Sequence, residues 1–235
     1  MGQNGQLAFL HNPVFRVIVT WLWAIVSPSF VVVIVSAFLR TNVDIAFQMF
    51  EECRYLTVYV EIVSAGLLPL MLTFICKDDL SLYGLGSKGF TTSLLPSALF
   101  VTGVYGFSFL TTEHLISFES PNFNLDFPSN LWYAALGVFA YGPLEVFFII
   151  WLIANTDRVF KGGKARMSWG LILTAIIFGS LHILDTQSIS AALNIVVTFF
   201  FLGLVWKYTK NSIGPMLAWT LINPQVFYFA SLLLP

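Results

Sequence analysis

Charge is what this sequence has least of. Only 10% of its 235 residues are Asp, Glu, Lys or Arg, against 57% hydrophobic residues. A soluble domain carries about 25% charge, so the solvated surface of such a domain is missing. The net charge is −1 and no long cluster of Lys and Arg occurs, which excludes the electrostatic footprint of a nucleic-acid partner. Cysteine is scarce too. Cys53 and Cys76 flank a single apolar segment, and as a helix its ends lie roughly 30 Å apart, too far for a disulfide. There is no C-x-x-C and no Cys/His ligand spacing, so no structural metal site is expected. The N-terminal tail has no basic start, and no A-x-A-like site follows the first apolar run, so no cleavable signal peptide is expected. Internal repeats and low-complexity tracts are absent as well, and a single integral membrane domain over 1–235 is expected.

What is present is a series of apolar runs. Seven segments are long enough to cross a bilayer as helices: 15–39, 55–76, 91–112, 131–155, 168–185, 188–208 and 212–234. Each approaches the requirement of about 20 mostly apolar residues, and a helix satisfies its own backbone in lipid. The predicted fold is all-α, a polytopic transmembrane bundle of about seven helices. Pro28 and Pro69 are expected to kink the first two.

The connections differ in charge. Three of them (77–90, 156–167 and 207–211) hold Lys77, Lys88, Arg158, Lys161, Lys164, Arg166, Lys207 and Lys210, whereas 113–130 and 186–187 hold no Lys or Arg. The positive-inside rule then places the N-terminus in the cytoplasm and the C-terminus outside. Arg40 and Arg54 oppose this assignment but are accompanied by Asp44, Glu51 and Glu52. The acidic, aromatic stretch "ISFESPNFNLDFPSN" (116–130) reads as a solvated connector or as a cover over a cavity mouth.

Polar residues at membrane depth cost about 2.5–3.5 kcal/mol each on insertion scales when ionisable, so each needs a reason. Glu61, Glu145, His182 and Asn223 are the candidates. Counting along their helices places Glu145, His182 and Asn223 in one layer, roughly 15–21 Å from the inner surface. A lone intramembrane His or Asn is ordinarily packing glue. Three such groups at one depth point to a shared site. Glu61 reads as packing or as a side chain that snorkels.

The local strings sharpen this. "YGPLEVFFIIWL" (141–152) holds Glu145, "FGSLH" (178–182) joins Phe178 to His182, and "NSIGPMLAWTLIN" (211–223) ends on Asn223. In order and spacing they resemble the E-E-x-x-x-R, F-x-x-x-H and H-x-x-x-N motifs of the CPBP family, the CAAX protease and bacteriocin-processing (Abi-type) membrane enzymes. The resemblance covers roughly 80–225, the CPBP-like core. It implies an intramembrane glutamic-type endopeptidase acting on a membrane-associated peptide or protein, in a prokaryotic cytoplasmic membrane. Glu145 would be the general base, His182 its partner at the water and Asn223 an oxyanion donor, with Phe178 and Trp219 lining the site. No cofactor and no metal are implied. The expected partners are the lipid bilayer and a membrane protein or lipidated peptide as substrate, or else a membrane complex partner.

Three positions depart from the motifs. Val146 stands for the second glutamate and Ile150 for the arginine, positions that pair across one helical turn. Losing both removes an ion pair without stranding a charge. Trp219 stands for the last histidine, and an indole donates one N–H but accepts nothing. Two readings follow: a divergent endopeptidase, or a catalytically impaired relative acting as a binding subunit or chaperone. A proton-coupled transporter would also use intramembrane Glu and His, but no inverted repeat supports it.

Overall fold

The computed structural model describes residues 8–112, 125–161 and 167–234. Lys164, Arg166 and 116–124 of the acidic connector lie outside the described residues. Among the described residues every regular element is a helix. The first, α1 (Pro13–Leu39), starts where Asn12 accepts from the Val14 and Phe15 amides with Pro13 behind it, the favoured N-terminal arrangement. It ends at Arg40, whose φ of 54° is left-handed. A short helix α2 (Val43–Glu52), capped by Asn42, follows.

The second apolar segment is not one regular helix. It consists of α3 (Thr57–Glu61), a π-helical turn (Ile62–Leu67) and α4 (Leu68–Ile75). After α5 (Phe90–Thr112) the same construction recurs: α6 (Ser129–Phe139), a π turn (Ala140–Leu144) and α7 (Glu145–Val159). Pro69 follows the first π turn and Pro143 lies inside the second. Proline removes a ladder N–H and crowds the preceding turn, and a wider turn accommodates it. Two more helices, α8 (Trp169–Thr186) and α9 (Ile189–Thr209), form a tight hairpin through left-handed Gln187 and the Ser188 cap.

The seventh segment departs from the straight span expected for 212–234. It is α10 (Ile213–Ile222) and α11 (Pro224–Leu233), bent by 73° at Asn223. Asn223 is extended, with φ −86° and ψ 137°. A residue before proline is pushed out of the helical region, and Asn223 then caps α11 by accepting from the Gln225 amide at 3.2 Å. By length and composition five helical spans are apolar enough to cross a membrane, six if the bent pair is counted, and α8 is a shorter apolar helix.

The core is built around α7. From Glu145 to Ile153 every residue is buried, packed against α1, α8, α9 and α10. Conversely, α1, α5 and α9 expose large apolar side chains such as Phe38, Phe107, Leu110 and Val197, an outer belt that only lipid or protein could cover.

One end of the bundle is tied by two buried ion pairs. Arg16 reaches Asp78 at 2.8 Å, and Lys207 reaches Asp157 at 2.6 Å. Lys207 therefore belongs inside α9 and to the core rather than to a solvated connection. Arg16 also donates to Asn155 and to the carbonyls of Leu10 and Leu72, and its guanidinium lies 5.6 Å from the Trp151 ring.

Candidate active site

The two π turns face each other in the middle of the bundle. A Cβ on Gly66 in the first would come within 2.6 Å of Leu144 in the second, and a Cβ on Gly142 would strike the Thr220 hydroxyl of α10. Glycine at both points lets the turns and α10 approach closely, the usual device where helices meet in lipid. Each turn borders a glutamate. Glu61 closes α3 just before the first, and Glu145 opens α7 just after the second.

The Glu145 side chain is buried and accepts a hydrogen bond from the Trp219 indole N–H at 2.7 Å. Trp219 thus occupies an oxygen of the carboxyl group that the motif resemblance assigns to catalysis. The structure also brings up a residue that the motifs do not contain. Glu61 lies close enough to Glu145 for their carboxyl groups to interact electrostatically. Its signal in the sequence was a carboxylate at membrane depth, but its nearness to Glu145 depends on two helices far apart in the chain.

Asn223 sits beside this cluster. Its amide donates to the Tyr141 carbonyl at 3.1 Å, within the π turn that leads into Glu145. The side chain therefore joins the α10–α11 bend to the second π turn, using its nitrogen there and its oxygen as the cap of α11.

His182 stands further off. Its Nδ1 lies 3.0 Å from the Phe178 carbonyl, and since a carbonyl only accepts, Nδ1 carries the proton. A row of rings connects it to the carboxyl group. His182 packs on Phe178 at 4.7 Å between centroids, Phe178 on Phe199 at 4.9 Å, and Phe199 on Trp219 at 4.8 Å. The sequence-derived layer of three polar groups thus resolves into Glu145, Trp219 and Asn223 around the π turn, with His182 across an aromatic row. Val146 and Ile150, the apolar replacements of the motif's charged pair, are each 1% exposed and pack in the core. Among the described residues no group of three or more His, Cys, Asp or Glu is arranged to hold a metal ion.

Residues 126–224 match the family model described as "Rce1-like: Type II CAAX prenyl endopeptidase Rce1-like". Over this segment the chain is similar to the CPBP family. No curated protein and no solved structure matches the chain. The matched segment contains Glu145, Phe178, His182, Trp219 and Asn223, whereas Glu61 lies before it. The matched family is one of CAAX-protease-like membrane endopeptidases, and the long apolar helices agree with an integral membrane protein.

Proposed function

We propose that this protein is an intramembrane endopeptidase that cleaves a membrane-associated peptide or lipidated protein, with Glu145 as its general base. The observation that carries the reading is a buried Glu145 at the second of two π turns packed against each other, with Glu61 bordering the first. Departures from α-helical geometry of this kind cluster at functional sites.

In this reading Glu145 takes a proton from water, and the oxygen adds to the scissile carbonyl carbon. The developing oxyanion is met by N–H donors, for which the Asn223 amide, held at the second π turn, is the candidate. The C–N bond then breaks as the amine leaves with a proton relayed by the carboxyl pair. His182, bonded to Phe178 across the aromatic row, takes no direct part in this step. The core for this chemistry is 80–225. The bundle end with Lys77, Lys88, Arg158 and Lys210 faces the cytoplasm, with the N-terminus inside and the C-terminus outside.

The hydrogen bond between Trp219 and Glu145 favours a second reading, a catalytically silent relative that binds a membrane partner. An indole N–H on the carboxyl group competes with water for the same oxygen. One experiment separates the two. The purified chain is incubated in mixed micelles with a prenylated C-terminal peptide, and products are read by mass spectrometry. Cleavage that is lost in Glu145→Gln, with the variant still accumulating in membranes, supports the endopeptidase. Cleavage retained in Glu145→Gln refutes Glu145 as base. No cleavage by either protein, with a co-purifying partner retained by both, supports the silent relative.

A further inference from the structure

A cavity lies away from Glu145, at the basic end of the bundle. It measures 420 Å³ and is walled by Ser81, Leu82 and Gly86–Lys88 on one side, Asp157 and Arg158 of α7 on another, and Trp206 and Lys210 at the end of α9. That size falls within the range of about 300–1,000 Å³ typical of small-ligand sites.

The charge of its walls is the informative feature. Three cations, Lys88, Arg158 and Lys210, line it against a single carboxylate, Asp157. That carboxylate is engaged from behind. One oxygen accepts from buried Lys207 at 2.6 Å and the other from the Gly170 amide at 3.0 Å. With Lys207 bound to it, this one carboxylate, which still attracts Lys210, is shared among more cations than it can balance. Among the described residues neither Lys88 nor Lys210 has an ion-pair partner. The Lys210 amine instead rests 5.5 Å from the Trp206 ring, on a backbone held left-handed at φ 58°. Partial burial, then the nearby Lys207, pushes the Lys210 ammonium below its ordinary pKa. Asp157 opposes both effects without cancelling them.

Basic residues at helix C-termini also complement the helix dipole and set topology. Those roles require only that the charges lie near the helix ends. They do not require that three cations converge on one cavity whose carboxylate is already neutralised. The position favours a ligand from the bilayer: the cavity opens where α7 and α9 end, and Leu82 and Ala154 give it an apolar margin. Basic pockets between membrane helices are a recurrent lipid-headgroup geometry.

We propose that this cavity binds the phosphate group of an anionic lipid headgroup, with Lys88, Arg158 and Lys210 as its cationic contacts. The assignment is independent of any role for Glu145. The test titrates the full chain in detergent with phosphatidylglycerol, phosphatidylcholine or inorganic phosphate and follows bound lipid by native mass spectrometry. Each cation contributes about five-fold to anion affinity, so K88Q/K210Q should bind phosphatidylglycerol about twenty-five-fold more weakly. The charge-matched K77Q/K161Q should bind it as the parent does, and K88R/K210R should recover binding, which guards against a variant that only misfolds. Displacement of phosphatidylglycerol by millimolar inorganic phosphate would keep the phosphate site and assign it to a soluble ligand. Equal loss in both Gln doubles, no loss in either, or equal binding of phosphatidylcholine overturns the proposal.

Discussion

The hydrogen bond from Trp219 to Glu145 makes a prediction that is sharper than any substitution of one partner alone. Trp219→Phe keeps an aromatic ring against Phe199 but removes the only donor the indole has. A buried acceptor left unsatisfied costs about 1–3 kcal/mol, and more when charged. Glu145 is only 4% exposed, so water does not readily replace the donor. The expected loss is therefore about 2–3 kcal/mol. Glu145→Met, of similar length, removes the acceptor and strands an indole N–H instead. In that background Trp219→Phe costs only its lost ring volume, a contribution common to both arms that cancels in the cycle. The coupling energy left is about 1–2 kcal/mol, close to a tenfold change in the unfolding equilibrium. Equilibrium unfolding of the four proteins in mixed micelles, followed by circular dichroism, measures it. Additivity of the two substitutions within about 0.5 kcal/mol would refute the bond, and with it the claim that Trp219 competes for the carboxyl oxygen.

Two further predictions concern the basic end. Arg16→Met strands Asp78 in a site where both side chains are under 10% exposed and should cost about 3–5 kcal/mol. The double variant Arg16→Met, Asp78→Leu should recover most of that, and thermal unfolding in micelles decides; a single variant within about 1 kcal/mol of the parent counts against the buried pair. Tyr83 donates to Asp78 at 2.5 Å, and burial, then the neighbouring carboxylate, raises its phenol above the ordinary value. Its contribution to stability is thus complete below about pH 10 and is lost as pH rises through the folded value. The alkaline fall in unfolding midpoint should be smaller in Tyr83→Phe, and an identical alkaline limb in the two proteins would contradict the assignment.

Much of this molecule was legible before folding. Long apolar runs with few charges demand helices in lipid, because no other open structure satisfies the backbone there. Their counted depth and the resemblance to the CPBP motifs likewise singled out Glu145, His182 and Asn223 as candidates. Even the break at Asn223 had a local signal that a hydropathy reading passes over: Asn followed by Pro is a helix start, not a helix middle. Lys207 was misassigned for a similar reason, since a charge near the end of an apolar run looks solvated until its partner is known.

What no stretch of sequence contains is the pairing of distant helices. Glu145 and Trp219 lie 74 positions apart; the Arg16–Asp78 and Lys207–Asp157 pairs span 62 and 50. Local propensity and hydropathy act over a few turns, so they determine that these segments are helices and that they lie in a membrane. Which buried carboxyl group faces which donor depends on how two π turns, opened beside prolines and closed by glycine contacts, pack against one another. The sequence by itself determined a CPBP-like set of membrane helices. Only the tertiary structure decided that Trp219 holds Glu145, that Glu61 joins it, and that His182 stands one aromatic row away.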